Sequence, residues 1–311
     1  MASTRRTFLS ELLASSLAPL LSFAAAGAAN GGRWKLGLGL NGFMSSAQRY
    51  KKEYPLWEIL DFAAREGFEG IELVDGWPMG GYPRAEEEAR VGALRRLYDQ
   101  YGLRIYTFQT GGAGAHAADP EARAAWLEQM TERIVLAKLL GCDFIGHWPG
   151  GGLEGNANAE EALGHLVSSY RAFAERCAES GLHFSFEIEP PFIFNTPGQL
   201  LRILDEVDHP ACKTNYDPSH FDLMAGSTGK TEPLLRRVGV ERIGHVHLTD
   251  TDGTLFGGTS RHLACGEGHC DLAASLSVLR DGGYNGWIMI DAWMIEDVYH
   301  AALAGRDMVR R

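Results

Sequence analysis

A glycine followed at once by a hydrophobic run recurs along this chain, at Gly67-Phe68, Gly102-Leu103, Gly141-Cys142, Gly181-Leu182 and Gly286-Trp287. Each junction reads as a helix stopping on the residue that best tolerates left-handed backbone, with a strand starting directly after it. The strands expected are 35–40, 68–74, 103–108, 142–147, 182–188, 212–216, 242–248 and 287–290. Between them the pattern is helical, over 55–66, 85–101, 119–140, 159–180, from Thr196-Pro197, over 232–238, from Asp271 and from about Ile295. Strands alternating with helices form a parallel sheet. Eight repeats over roughly 280 residues suit a closed (β/α)8 barrel, a TIM barrel, better than an open sheet. No loop resembles a P-loop, and Gly37-Leu38-Gly39 is not read as a dinucleotide fingerprint, because no helix is expected directly after it.

The chain start has a different character. Arg5-Arg6-Thr7-Phe8-Leu9 precedes an apolar stretch ending in Ala24-Ala25-Ala26-Gly27-Ala28-Ala29. A charged start, an apolar middle and a small-residue end make a signal peptide, and the paired arginines resemble a twin-arginine signal. Residues 1–29 are therefore read as the signal and 30–311 as one barrel domain of an exported, periplasmic protein. No other stretch is long and apolar enough to span a membrane, so no stable membrane insertion is expected after cleavage. With a net charge of -11 and no basic patch, nucleic acid is not an expected partner. The five cysteines are scattered without a C-x-x-C pair and read as free or buried thiols, a Cys265–Cys270 bridge being left open.

In such a barrel the chemistry lies at the C-terminal ends of the strands. Strand two ends in Glu72 and Asp75, and strand four in His147. Strand five carries Glu187 and Glu189 two residues apart, on one face by the strand period. Strand six leads into Asp217-Pro218-Ser219-His220, where proline stops the strand and a loop is expected. Strand seven carries His245 and His247, and strand eight ends in Asp291 and Trp293. So many ionisable groups at one end of a barrel would be costly unless a cation neutralised them. A mixed oxygen and nitrogen donor set suits Mn, Mg, Co or Zn without choosing among them.

Phe186-Glu187-Ile188-Glu189-Pro190, Asp217-Pro218-Ser219-His220, Gly244-His245-Val246-His247-Leu248-Thr249-Asp250, Gly266-Glu267-Gly268-His269-Cys270-Asp271 and Tyr284-Asn285-Gly286-Trp287-Ile288-Met289-Ile290-Asp291 together resemble the xylose isomerase-like superfamily of TIM barrels, the sugar (phosphate) isomerases and epimerases. The resemblance covers most of the chain after the signal. It implies that Glu187, Asp217, His247 and Asp291 ligate a divalent metal. It implies that His220 stands beside the metal, contacting substrate or a second metal. It also implies that Arg261 or His262 reaches substrate hydroxyls and that Glu267 braces its loop. Epimerases of this family usually carry Glu where Asp291 stands, and xylose isomerases proper carry lysine where Glu189 stands. Both departures weigh against the familiar two-base and hydride-shift mechanisms.

The expected function is a metal-dependent sugar isomerase or epimerase that removes a proton beside a carbonyl to give an enediolate. Glu187 or Glu189 is the expected base, and His220 or His262 the expected shuttle for protons on oxygen. His147, His220, Asp250, Arg261 and Trp293 are the expected substrate contacts, with Trp77 and Trp148 as further stacking candidates. The partner is a small-molecule sugar or keto-glycoside, and assembly into a homo-oligomer is left open. The alternatives are an exported keto-glycoside lyase working by β-elimination on the same metal site, a metallo-phosphodiesterase of the apurinic endonuclease type, and an inactive sugar-binding barrel.

Overall fold

The structure, a computed structural model, describes residues 33–78 and 80–311. The signal reading of residues 1–29 lies outside them. In chain order the elements are β1 (Lys35–Gly39), α1 (Leu40–Tyr50), α2 (Leu56–Arg65), β2 (Gly70–Leu73), α3 (Glu88–Asp99), β3 (Arg104–Gly111), α4 (Pro120–Leu140), β4 (Ile145–Trp148), α5 (Ala159–Glu179) and β5 (Phe184–Phe186). There follow α6 (Pro197–Val207), β6 (Cys212–Tyr216), α7 (Pro218–Met224), α8 (Glu232–Val238), β7 (Ile243–Leu248), β8 (Leu255–Phe256), β9 (Thr259–Ser260), α9 (Leu272–Asp281), β10 (Trp287–Ile290) and α10 (Val298–Arg310). The strands β1-β10-β7-β6-β5-β4-β3-β2 close a barrel in which every pairing is parallel, while β8 and β9 form a separate antiparallel hairpin. This is the (β/α)8 barrel that the alternating pattern implies.

The junctions work as their residues dictate. Gly141 ends α4 in left-handed backbone at φ 78°, and its N–H donates back to the last turn of the helix. Thr196 opens α6 with a reciprocal capping box to Gln199, and Pro197 takes the first helical position, where a missing N–H costs nothing.

Three expectations need correction. A helix does follow β1 directly: α1 begins at Leu40, and Gly42 completes a G-x-G-x-x-G spacing with Gly37 and Gly39. The spacing answers to packing, since a Cβ on Gly42 would lie 2.9 Å from that of Ala292. Second, Pro218 starts the helix α7 where a loop was expected. Third, β5 is only three residues long, so Glu187 and Glu189 stand beyond the strand instead of on it. All five cysteines are free thiols, Cys265 and Cys270 included.

The lower barrel interior is a ring stack. Tyr106 of β3 lies parallel to Trp287 of β10 at 4.0 Å between centroids, with Phe144 and His245 against them. Two glycines make room: a Cβ at Gly37 would stand 2.5 Å from the Tyr106 hydroxyl, and one at Gly70 would stand 2.8 Å from Tyr106, from Trp287 and from the Arg104 carbonyl. Overpacking a filled core costs about 1–3 kcal/mol. Gly70→Ala is therefore expected to lower unfolding free energy by about 2 kcal/mol in urea denaturation, whereas an unchanged midpoint would show that the stack yields freely.

Candidate active site and metal centre

A cavity of about 250 Å³ opens among the C-terminal strand ends, and Glu187, Glu189, His220, His247, His262, Asp291 and Trp293 all line it. Asp217 lies behind them, 1% exposed. It caps α7, with Oδ1 accepting from Ser219 N at 2.7 Å, His220 N at 3.3 Å and Ser219 Oγ at 2.6 Å. Oδ2 has no hydrogen-bond partner and stands 3.5 Å from His262 Nε2.

Asp291, one residue past β10, is divided the same way. Oδ1 accepts from Asn41 Nδ2 at 3.0 Å and Trp293 N at 2.9 Å, while Oδ2 points inward, 3.6 Å from His247 Nδ1 and 3.7 Å from His262 Nε2. Glu187 accepts from Asn215 Nδ2 at 2.7 Å, and its Oε1 lies 3.0 Å from His247 Nδ1 and 3.9 Å from His220 Nε2.

Hydrogen-bond direction fixes two imidazoles. His262 Nδ1 is 3.0 Å from the Ser260 carbonyl, which can only accept, so Nδ1 carries the hydrogen. Its Nε2 faces the free oxygens of Asp217 and Asp291, as a donor while the ring is protonated and as a lone pair once a cation displaces that proton. For His220 the chain starts at Asp217. Ser219 Oγ donates to Asp217, so it accepts from Ser260 Oγ at 2.7 Å, and Ser260 accepts from His220 Nδ1 at 2.7 Å. His220 Nε2 is thereby left as an acceptor facing Glu187.

The protonation tendencies follow from the same packing. Burial opposes charge on His262, but Asp217 and Asp291 outweigh it and hold the imidazole well above its ordinary range. Burial likewise opposes charge on His247, and Glu187 and Glu72 raise it. Burial lowers His220 and raises Glu72. Asp217 stays below the usual carboxylate range against its burial, because His220 and His262 stand beside it. Glu189 is pushed up to about 8, by desolvation first and then by the charge of Glu187.

With the protons of His247 and His262 displaced, the arrangement holds more acceptors than donors at one point. A cation fits that imbalance: the unpartnered Asp217 Oδ2, the inward Asp291 Oδ2, Glu187 and two imidazole nitrogens face a common space. Donor atoms of Glu187, Asp217 and His247 lie within 4.8 Å of one another, as do those of Asp217, His220 and His262, and those of Glu187, Glu189 and His220.

Three expected substrate contacts lie elsewhere. His147 points outward from β4 into an aromatic cage of Trp126, Tyr170 and Phe173, with Nδ1 3.1 Å from Thr110 Oγ1. Asp250 is a buried loop anchor that accepts from the backbone N–H groups of Thr251, Gly266 and Cys270. Arg261 is paired with Asp252 at 2.9 Å and lies over Phe256. Trp148 and Trp293 line the cavity, while Trp77 lines a separate small apolar pocket. Glu267 does tie its loop down, 2.7 Å from His300 of α10.

Sequence reasoning noted Glu72 at its strand end and gave it no role. It is 2% exposed, with Oε2 3.4 Å from His247 Nε2 and 3.5 Å from His245 Nδ1. Its place at a strand end, where barrel geometry gathers polar residues, was the only signal the sequence held. A carboxylate on the far nitrogen turns an imidazole's other nitrogen toward a metal, and losing such a partner costs about 10–100-fold in affinity. Glu72→Gln is expected to weaken zinc binding by about that factor in chelator competition, and an unchanged affinity would remove Glu72 from the site.

His147 generates a second expectation. Burial takes its pKa from the ordinary 6.5 to about 3, so the unfolded chain binds a proton between those values that the folded protein does not. Stability is full above pH 6.5 and falls by about 1.4 kcal/mol per unit below it. His147→Leu is expected to reduce that slope in urea titrations between pH 6.5 and 5, and an identical slope would refute the burial argument.

The family model for the xylose isomerase-like TIM barrel matches residues 60–309. Uncharacterized protein MJ1311 of Methanocaldococcus jannaschii is 29% identical over 140 residues, covering 44% of this chain and 46% of that protein, less than half its length. A putative hydroxypyruvate isomerase of Xenopus laevis is 24% identical over 250 residues, covering 74% of this chain and 84% of that protein. Among solved structures, the IolI protein with a bound zinc atom superposes with TM-score 0.70 at 18% identity, covering 89% of this chain and 96% of that one. The D-psicose 3-epimerase of Clostridium cellulolyticum H10 superposes with TM-score 0.68 at 19% identity, covering 89% and 98%. These two structures share the fold.

Proposed function

The chain belongs to the xylose isomerase-like TIM barrel family, and from that premise we propose that it is a divalent-metal-dependent sugar isomerase or epimerase acting on the carbon beside a carbonyl. The observation that carries this reading is the meeting of the unpartnered Asp217 Oδ2 and the inward Asp291 Oδ2 with Glu187 and His247, with His220 and His262 beside them. Those four residues would hold the cation, and the zinc in the similar IolI structure supports a divalent ion of unspecified identity. When bound, such an ion polarises a carbonyl oxygen and so acidifies the neighbouring C–H.

The chain's own residues do the proton work. Glu189 stands at the cavity wall without a side-chain hydrogen-bond partner among the described residues, and its raised pKa makes it a competent proton acceptor near neutrality. His220, with Nε2 left as an acceptor by the Ser260 contact, is suited to receive a hydroxyl proton. Asn215 holds Glu187 in place. Trp148 and Trp293 close the sides of the cavity.

Asp291 favours a second reading. Asn41 and Trp293 N hold one of its oxygens, and the other faces two imidazoles, so it has no freedom to serve as an opposed second base. One base at Glu189 suits proton transfer on a single face, followed by isomerisation or by loss of a group β to the carbonyl. A keto-glycoside lyase is therefore the runner-up, with a small sugar or keto-glycoside as partner. The twin-arginine reading of residues 1–29 would place this chemistry in the periplasm.

Proton NMR in deuterated buffer, with Mn or Zn and a panel of free ketoses, aldoses and 3-keto-glycosides, tests the proposal. Deuterium is expected at one carbon of a substrate, and its product separates isomer, epimer and elimination. No exchange in protein shown to hold metal would sink the proposal. Asp217→Ala is expected to lose the metal. Glu189→Gln is expected to keep it and lose exchange by about a hundredfold or more, and exchange at the wild-type rate would rule Glu189 out as the base.

A further inference from the structure

The cavity has two regions of different chemistry. Its floor carries carboxylates and imidazoles: Glu72, Glu187, Glu189 and Asp291 line it with His220, His247 and His262, and Asp75 adds a fifth carboxylate at the exposed rim. Its walls are apolar, formed by Met44, Val74, Trp148 and Trp293. Trp148 is held in place, with its ring edge-on to Phe192 at 5.4 Å and its side chain over Gly111, where a Cβ would stand 3.4 Å away. Among the described residues lining the cavity none is lysine or arginine. The guanidinium of Arg261, on the hairpin loop nearby, is engaged by Asp252 and Phe256.

These features set the charge of what can enter. With a dication in place of the imidazole protons, Glu187, Asp217 and Asp291 leave a net negative formal charge, and Asp75 extends that sign to the rim. Binding a phosphate or a carboxylate calls for Arg or Lys donors, which match those anions in charge and geometry. Here an anionic substituent would meet like charge at the floor and rim and aromatic carbon between them. A polyol meets acceptors for its hydroxyls and flat rings for its C–H faces.

We propose that the site takes an electroneutral sugar or glycoside and discriminates against phosphorylated and carboxylated sugars. The reacting end lies among the carboxylates, and the remainder rests on Trp148 and Trp293. This rests on the proposed carbonyl chemistry for which end reacts, but the charge preference is measurable without turnover.

The experiment is equilibrium binding to the metal-loaded full chain, by calorimetry and tryptophan fluorescence. The neutral probes are D-fructose and methyl β-D-glucopyranoside, and the anionic probes are D-fructose 6-phosphate and D-glucuronate. The neutral probes are expected to bind about a hundredfold or more tightly than their anionic counterparts. Asp75→Lys, an exposed change, is expected to narrow the fructose to fructose 6-phosphate ratio about tenfold. Trp148→Ala is expected to weaken the glucoside about tenfold with loss of its fluorescence response, and Trp148→Phe to restore most of the affinity. Fructose 6-phosphate binding as tightly as fructose, or neither class binding, overturns the inference. Neutral binding without deuterium exchange in the same samples leaves it standing and removes the carbonyl chemistry. Exchange with phosphorylated sugars at comparable rates does the reverse.

Discussion

The surplus of buried acceptors at the top of the barrel is the constraint around which this molecule is arranged. Asp217 and Asp291 each spend one oxygen on local donors and present the other, unspent, to the same space. Unpaired carboxylate oxygens in a low-dielectric setting are expensive unless something positive joins them. The neighbours that spend the first oxygens make the second ones available: the N-terminus of α7 for Asp217, Asn41 and the Trp293 amide for Asp291. The Ser219–Ser260 pair extends the same logic to a histidine, since one run of oriented hydroxyls sets which nitrogen of His220 is bare. Fold and site are thus one hydrogen-bond problem, in which helix capping and carboxylate orientation are solved by the same atoms.

Much of this was legible in the sequence, and the failures have physical causes. Glycine stops and alternating periodicity gave the barrel, and barrel geometry alone brought Glu187, Asp217, His247 and Asp291 to one end. His147 failed because parity along a short strand decides inward from outward, and a four-residue strand gives too few positions to fix that phase. Asp250 and Arg261 failed because a long loop has no periodicity to read: the β8–β9 hairpin inside it turns Arg261 outward and His262 inward, one residue apart. Glu72 was visible as a strand-end acid, but its partners His245 and His247 are more than 170 positions away. No local pattern encodes that meeting. The helix α1 was hidden by Gly42, which lowers helix propensity in its first turn while serving close packing against Ala292.

The interior below the site shows how a barrel with a polar top is filled. Tyr106, Trp287 and Phe144 occupy the space that branched aliphatics usually take, and Gly37 and Gly70 give up side chains to admit them. The Tyr106 hydroxyl lies 3.3 Å from His245 Nε2, so polarity fades in steps from the carboxylates through His245 to the stacked rings. Large rings give a rigid floor with few rotamers to lose.

The bond from Asn41 to Asp291 joins residues 250 positions apart, across the seam where β1 meets β10. Long-range pairings of this kind form slowly, because chain closure must precede the contact that rewards it. During synthesis the amide that steadies Asp291 emerges 250 residues ahead of the carboxylate. A nascent chain therefore holds an incomplete carboxylate cluster until β10 seals the barrel. The inward oxygen of Asp291 thus joins those of Glu187 and Asp217 only when the first and last strands of the barrel have found each other.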